Sequence, residues 1–186
     1  MKRAFDILLG CLAALILFVP MLLVAMAVRL TSKGPVLYWS DRVGRNNVIF
    51  KMPKFRSMRE GTPAVATHLL ADAPSHLTPV GSFLRKSSLD ELPQLWNILA
   101  GDMSFVGPRP ALFNQQDLIA LRTEKGVHNL VPGLTGWAQV NGRDELLIPE
   151  KVKLDLAYLQ SRSLWLDVRI LWLTFAKVLK RDGVLH

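Results

Sequence analysis

Two adjacent carboxylates, Asp90 and Glu91, are the residues of this 186-residue chain that point most directly to chemistry. Ser88 lies three positions before Glu91, and this spacing predicts a capping box at the first turn of a helix. The N–H groups and the dipole of a helix start favour anions. Adjacent helical side chains point about 100° apart, so one carboxylate could attack a substrate or transfer a proton while the other holds a metal ion. The two acids could instead only cap the helix, and both interpretations stay open at this point.

Pro93 follows the acid pair closely and constrains the helix that would carry it. Inside a helix, Pro93 would lack the N–H that bonds the carbonyl of Leu89, at a cost of up to ~3 kcal/mol. We therefore expect the segment either to kink at Pro93 or to begin its regular helix there.

Basic residues accompany the acids, and they could bind phosphate or only form a solvated surface. The strand-like segment 54–59 carries three cations, beginning with Lys54. Arg85 precedes the first acid by five positions, where it could neutralise a phosphate or merely offset the acids. Prolines on both sides stiffen the backbone of Arg109, which suits a bidentate phosphate contact. A turn signal directly before Arg143 is expected to place that side chain at an exposed tip.

The N-terminal apolar run bears on where these residues act. It extends without charge from Ile7 to Val28 and is long enough for a spanning helix, which needs about 20 residues. No small-residue cleavage site follows, which disfavours a signal peptide. Both flanks are basic, whereas the positive-inside rule keeps basic flanks cytoplasmic. A helix that kinks at Pro20 and returns to the same face would satisfy that rule, and a Pro-kinked span is the alternative.

The remaining patterns predict a small α+β domain in which helices dominate. Strand-like segments are 36–39 and 48–52, and a further short strand between two turns is expected within 131–143. Helical periodicity marks 112–125, 150–160 and 164–181, with a short helix near 64–71. His68 and His76 fall in a segment predicted to be mainly loop, and we expect no metal-ligand role for either.

The helix predicted at 164–181 has a pronounced apolar stripe. Its members are Leu164, Val168, Leu171, Phe175 and Val178, widened by Trp165, Trp172 and Leu179. The apolar stretch is too short to span a bilayer. The helix could pack on the core, or it could lie in the headgroup plane with its tryptophans at the interface.

Net charge and cysteine content narrow the class of partner. A formal charge of +8 indicates an anionic partner such as phospholipid headgroups, a nucleotide or nucleic acid. Nucleic acid is disfavoured because the aromatic residues lie in apolar stripes rather than alternating with cations. The single cysteine, Cys11, cannot form an intrachain disulfide, in agreement with a cytoplasmic location.

Taken in order, these segments resemble the bacterial sugar transferases of the monotopic phosphoglycosyl transferase family, especially the minimal members that consist of little more than the catalytic core. The motifs run nearly end to end: Lys2-Arg3-x-x-Asp6, Asp41-Arg42-Val43-Gly44, Lys54-Phe55-Arg56-Ser57-Met58, Arg85-x-x-Ser88-Leu89-Asp90-Glu91-Leu92-Pro93-Gln94-Leu95, Gly101-Asp102-Met103-Ser104-Phe105-Val106-Gly107-Pro108-Arg109-Pro110, Pro132-Gly133-Leu134-Thr135-Gly136-Trp137 and Val140-Asn141-Gly142-Arg143. Their joint order is more specific than any single motif.

The resemblance implies an activity and roles for the site residues. Such enzymes use Mg²⁺, transfer a sugar-1-phosphate from a UDP-sugar to undecaprenyl phosphate, and release UMP. Asp90 would be the nucleophile that forms a covalent phosphosugar intermediate, and Glu91 would ligate the metal ion. Candidates for binding the phosphates of donor or acceptor are Lys54, Arg85, Arg109 and Arg143. Asp155 matches an acidic position of the family and is carried as a further site residue.

The resemblance also implies a membrane topology. The family's N-terminal helix is re-entrant and breaks at a Ser-Pro pair, which is Val19-Pro20 here, so the hydroxyl is missing while the proline remains. The expected organisation is a re-entrant helix-hairpin over 1–30, kinked near Pro20, and a catalytic domain over 31–186. This domain would face the cytoplasm at the bacterial inner membrane and would contact anionic lipids.

Two other functions compete with the transferase. A non-enzymatic membrane adaptor of a glycan-assembly complex would use the basic charge and interfacial helices without chemistry at Asp90. A UDP-sugar hydrolase would use the same acids but would need no lipid acceptor.

Overall fold

The computed structural model describes residues 1–63, 72–142 and 146–180 of the chain. The helices are α1 (Lys2–Thr31), α2 (Gly81–Ser87), α3 (Leu95–Ala100), α4 (Gln116–Glu124), α5 (Trp137–Asn141), α6 (Ile148–Ser161) and α7 (Leu164–Lys180). The strands are β1 (Leu37–Val43), β2 (Ile49–Phe55), β3 (Ser104–Val106), β4 (Ala111–Leu112) and β5 (Gly133–Thr135). The predicted α+β class, with helices dominant and a long apolar helix first, is confirmed.

Two small sheets form the β part of the described chain. An antiparallel sheet has the strand order β2-β1-β4, and a parallel pair joins β3 to β5. In the β1–β2 hairpin, Val43 lies opposite Ile49 and Trp39 lies opposite Pro53. Pro53 is tolerated because β2 is an edge strand, where a missing N–H breaks no inner ladder. The buried core between the sheets and the helices includes Met52, Ile98, Met103, Val106, Tyr158 and Ile170.

Helix α1 lies against the rest of the domain along its length. The positions that are buried or packed on the core recur every three or four residues: Asp6, Gly10, Ala13, Leu17, Met21, Val24 and Val28. A Cβ at Gly10 would lie 2.9 Å from Leu99, so the helix approaches α3 closely there. The opposite face is apolar and exposed. This is the one helix of the described chain that is long and apolar enough to cross a membrane, judged by length and composition.

Polar contacts hold both ends of α1 to the same domain. Near the N-terminus, Lys2 Nζ forms an ion pair with Asp167 at 2.7 Å, and Asp6 accepts hydrogen bonds from Ser104 and Phe105. At the C-terminal end, Arg56 donates hydrogen bonds to the carbonyl and the hydroxyl of Ser32. Lys2, in the basic N-terminal flank, therefore also docks the helix. Residues 2–31 are one helix that contains Pro20, and the hairpin over 1–30 stays a prediction.

Several sequence expectations are revised by the structure. The helix expected from residue 112 begins at Gln116, because Ala111–Leu112 pair with β1 as a strand. Within 131–143, a short strand is followed by helix α5 before the turn at Gly142. The helix expected near 64–71, together with His68, lies outside the described residues.

Helix α7 packs on the core mainly through residues outside its predicted stripe. Asp167 and Ile170 are buried, whereas Val168, Phe175 and Val178 are about half exposed and Trp165 is 78% exposed. The helix therefore does pack on the core, with Asp167 facing inward to bind Lys2 and Tyr158, and Leu171 is a member of the predicted stripe that takes part in this packing.

Candidate active site

The acid pair lies in the segment that connects α2 to α3. Ser88 ends α2 with a φ of 56°, a left-handed conformation that is uncommon outside glycine. A 3₁₀ helix over Leu89–Gln94 follows, with Asp90 and Glu91 in its first turn and Pro93 near its end. The regular helix α3 then begins at Leu95. Pro93 therefore lies where the 3₁₀ helix gives way to the regular helix. This is close to the expectation that the regular helix begins at Pro93.

The predicted capping box does not form. Ser88 makes no side-chain capping hydrogen bond, and it is the backbone N–H of Glu91 that bonds the carbonyl of Ser88. The Glu91 carboxylate turns instead toward two cations from other elements. Local spacing suggested a cap, but tertiary ion pairs determine where this side chain points.

Glu91 is held by Lys54 and Arg109. Lys54 Nζ lies 2.8 Å from Glu91 Oε1, and Arg109 Nη2 lies 2.9 Å from the same oxygen. Burial by itself would raise the pKa of the Glu91 carboxyl, but attraction to Lys54 and Arg109 outweighs burial and holds the pKa well below its usual range. Glu91 is therefore a fixed negative charge at neutral pH.

Asp90 has the opposite electrostatic character. Its side chain is buried, and burial raises its pKa above the ordinary value. Lys54 opposes this rise, Glu91 adds to it, and the charges of Arg85 and Arg109 oppose it more weakly. Neighbouring carboxyl groups whose pKa values are pushed apart are typical of sites in which two acids have different roles. Here the more basic carboxylate is Asp90.

The backbone of Arg109 is fixed from behind by a buried ion pair. Arg122 Nη1 donates to the carbonyl of Arg109 at 2.8 Å, while Arg122 Nε and Nη2 donate to Asp155 Oδ2 at 3.0 and 2.6 Å. Arg122 and Asp155 are both buried. Burial raises the pKa of the Asp155 carboxyl, and the adjacent Arg122 opposes that rise. Asp155 thus contacts the Arg109 loop through Arg122.

Arg42 is a functional candidate that motif-by-motif analysis did not single out. It lies on β1, donates to Ser40 Oγ at 3.0 Å, and donates to the carbonyl of Pro110 at 3.3 Å. Burial and the charge of Arg109 lower its pKa to about 10, against the attraction of Glu91. Arg42 therefore stays charged at neutral pH and adds to the positive field around Glu91. Its place in the Asp41–Gly44 motif was the available signal.

The structure brings together most of the predicted site residues. Lys54, Arg109 and the two acids form one cluster, and the charge of Arg85 acts on Asp90. Arg85 has further interactions of its own. Arg143 lies outside the described residues. His76 ends a short 3₁₀ helix over Ala73–His76.

The donor set fits a metal ion that binds mostly to substrate. Within the described ranges, no group of three or more His, Cys, Asp or Glu side chains converges on a point. Mg²⁺ is commonly held by one or two carboxylates together with substrate phosphates and water. Glu91 uses one oxygen for its two cations, and an ionised carboxylate offers about four lone-pair sites. Glu91 therefore suits a hard cation delivered with phosphate.

Comparison with known proteins supports the family resemblance that the sequence motifs suggested. A family model described as bacterial sugar transferase matches residues 1–181. The chain belongs to the bacterial sugar transferase family. An uncharacterized sugar transferase of Bacillus subtilis, EpsL, is 41% identical, and the match covers 99% of this chain and 90% of that protein.

Longer members of the bacterial sugar transferase family are equally similar. The UDP-glucose:undecaprenyl-phosphate glucose-1-phosphate transferase of Escherichia coli is 42% identical over 95% of this chain and 40% of its own length. The undecaprenyl-phosphate glucose phosphotransferase of Komagataeibacter xylinus is 41% identical over 95% of this chain and 35% of its own length. The chain therefore spans well under half of these two relatives.

Proposed function

We propose that this chain is a phosphoglycosyl transferase that moves a sugar-1-phosphate from a UDP-sugar to undecaprenyl phosphate and releases UMP. The observation that carries the proposal is the acid pair, in which Glu91 is held ionised by Lys54 and Arg109 while buried Asp90 is the more basic carboxylate. The names of the Escherichia coli and Komagataeibacter xylinus relatives support the lipid acceptor, and the first also supports a UDP-sugar donor.

The transfer would take place in two displacements on phosphorus. A carboxylate oxygen of Asp90 attacks the β-phosphorus of the UDP-sugar, the bond to the bridging oxygen breaks, and UMP leaves with that electron pair. A phosphate oxygen of the lipid acceptor then attacks the same phosphorus, and the Asp90 carboxylate is released. Carboxylate nucleophiles are established in phosphoryl transfer, provided that cations stabilise the charge spread over the phosphoryl oxygens.

The surrounding residues of this chain would orient the phosphates. Arg109 points at Glu91 from a loop stiffened by two prolines and by Arg122, so its guanidinium is preorganised beside the reacting group. Lys54 holds the same Glu91 carboxylate from strand β2. Mg²⁺ held by Glu91 would supply charge neutralisation at the diphosphate.

The membrane placement is part of the same proposal. Both ends of α1 contact one domain, through Lys2 and Asp167 at one end and Ser32 and Arg56 at the other. A straight span would put these ends on opposite sides of a bilayer core that is about 30 Å thick. We infer that α1 is re-entrant, with its exposed apolar face in lipid and the domain at the cytoplasmic surface. The exposed tryptophans of α7 suit the headgroup region.

Turnover and adduct formation test the chemistry. The full chain is incubated with Mg²⁺, undecaprenyl phosphate and UDP-glucose, the first donor in a panel of UDP-sugars, and UMP release is measured. Asp90→Asn should abolish release and remove the phosphosugar adduct that intact-mass spectrometry detects on the parent protein. Full turnover in Asp90→Asn would refute the nucleophile assignment. Without acceptor, the first displacement can release at most one UMP per protein molecule, so repeated release without acceptor would indicate a hydrolase.

Side-specific labelling tests the topology. In a Cys11→Ser background, Ala4→Cys and Lys33→Cys place thiols at exposed positions on either side of the apolar run. Both thiols should react with the same membrane-impermeant reagent from the cytoplasmic side. Reaction from opposite sides would establish a span.

A further inference from the structure

A second basic cleft lies beside the C-terminal end of α1. It has a volume of about 240 Å³, which gives room for a group larger than water. Its polar lining consists of three cations, one acid and three hydroxyl residues: Lys33, Arg56, Arg59, Glu60, Thr31, Ser32 and Thr78. The proposed transfer reaction uses none of these residues.

Arg56 is buried in this cleft with part of its hydrogen-bonding capacity unused. It is 5% exposed, and its Nη2 donates to the carbonyl and hydroxyl of Ser32. Within the described part of the chain, its Nε and Nη1 have no hydrogen-bond partner. Nη1 has only an ion-pair contact of 3.7 Å with Glu60, whose side chain is 65% exposed. Buried guanidinium donors left unpaired are costly, so these two nitrogens indicate a missing acceptor.

The absence of a side chain at Gly34 leaves the space that the Arg56 guanidinium occupies. A Cβ at Gly34 would lie 2.1 Å from Arg56 Nη1, and Gly34 has a φ of +105°. Both facts require glycine there, because a side chain would displace the guanidinium and strain the backbone. Ser32 on the other side fixes Nη2. Arg56 is thus positioned between Gly34 and Ser32, and its Nε and Nη1 remain available to a ligand.

Charge and location identify the class of ligand. Three cations against one acid favour an anion, and the exposed Lys33 and Arg59 bring positive charge to the opening. The cleft begins where the apolar helix ends, next to Leu30, which is 80% exposed. With the exposed face of α1 in lipid, this end lies at the depth of phospholipid headgroups. Basic pockets at that depth bind anionic headgroups.

We propose that this cleft binds the phosphate group of an anionic phospholipid. Arg56 donates to the phosphate oxygens, Lys33 and Arg59 contribute charge, and the acyl chains lie along the exposed side of Leu30. Free inorganic phosphate has the same oxygen chemistry, but it would gain nothing from the adjacent apolar helix. The inference goes beyond the transferase, because binding requires neither sugar donor nor polyprenyl acceptor.

Native mass spectrometry of the full chain tests the site. The protein is purified in an uncharged maltoside detergent and titrated with dioctanoyl phosphatidylglycerol in one arm and inorganic phosphate in the other. We expect one saturable lipid adduct. Lys33→Gln and Arg59→Gln should each weaken lipid binding about fivefold, the contribution of one cation near an anionic headgroup.

Two further variants distinguish specific binding in the cleft from non-specific attraction to surface cations. Arg56→Gln should weaken binding more than either exposed variant, and if it does not fold, the two exposed variants carry the test. Lys51→Gln is the matched control, because it removes one exposed cation, paired with Asp41, from the same hairpin. Equal weakening by Lys51→Gln would overturn the proposal. Phosphate binding as tight as lipid binding would also overturn it, as would the absence of a saturable adduct in both arms.

Discussion

Asp155→Asn directly tests the buried Arg122–Asp155 ion pair, which holds the Arg109 loop of the candidate active site. The change keeps the size of the side chain and removes its charge, so it leaves the buried Arg122 guanidinium without its counter-ion. Removing one partner of a buried pair typically costs ~3–5 kcal/mol in the free energy of unfolding. Arg122 and Asp155 are 8% and 1% exposed, so water cannot readily replace the lost carboxylate. For a chain of this size we expect a melting temperature lower by roughly 6–20 °C.

Replacing both partners separates the pair from the charge left behind. Arg122→Met with Asp155→Leu removes both charges and keeps apolar volume, a change that is often nearly neutral for stability. The remaining loss is the hydrogen bond to the Arg109 carbonyl, worth ~1.5–3 kcal/mol for a charged donor. We therefore expect the double variant to be more stable than Asp155→Asn. Glu124→Gln is the control, because it breaks an exposed pair with Lys125 and should cost under ~1 kcal/mol.

Turnover distinguishes a positioning role from a purely structural one. In the double variant the Arg109 loop keeps its prolines but loses its anchor, so Arg109 is held less firmly beside Glu91. If that anchor energy is used in the transition state, UMP release should fall about 10- to 100-fold even where the fold is recovered. Parent-like turnover in a stable double variant would refute this reasoning. An Asp155→Asn variant within ~1 kcal/mol of the parent would refute the burial argument.

Two further predictions concern the same loop and its counter-charges. Lys54→Met should reduce UMP release by about 10²-fold or more, because it removes one of the two cations on Glu91, whereas Lys51→Met on the same strand should leave release unchanged. Gly136→Ala should lower the free energy of unfolding, measured by denaturant titration, by more than ~3 kcal/mol. Its Cβ would lie 2.1 Å from the carbonyl oxygen of Gly107, a contact that the backbone can relieve only by moving; a loss below ~1 kcal/mol would contradict that contact.

Features encoded by nearby residues could be predicted from the sequence. The apolar run became α1, and the periodic segments 150–160 and 164–181 became α6 and α7 with small changes at their ends. The acid pair does lie at a helix start. In each case the signal is carried within a few turns of chain, through hydrophobic period or helix-start composition.

Features that depend on distant contacts could not be predicted. Glu91 has the spacing of a capping residue, yet it binds cations that are 37 and 18 positions away. Arg122 looked like one polar position on an amphipathic helix, and its role follows from Asp155, 33 positions later. The inward face of α7 was missed because Asp167, a charged residue, is buried by its contacts with Lys2 and Tyr158. Periodicity assigns charged residues to the surface unless their partner is known.

Strand β2 and the residue after it connect the acid pair to helix α1 in a single stretch of backbone. Lys54 binds Glu91, and Arg56, two residues later, binds Ser32 at the end of α1. The Arg56 N–H bonds the carbonyl of Val36, so the ladder continues and the two side chains leave the same face, ~7 Å apart along the strand. With α1 placed in lipid as proposed, its depth and the position of Glu91 would be coupled through this stretch of backbone. Such coupling would suit the proposed transfer to a phosphate whose own depth is fixed by its lipid tail.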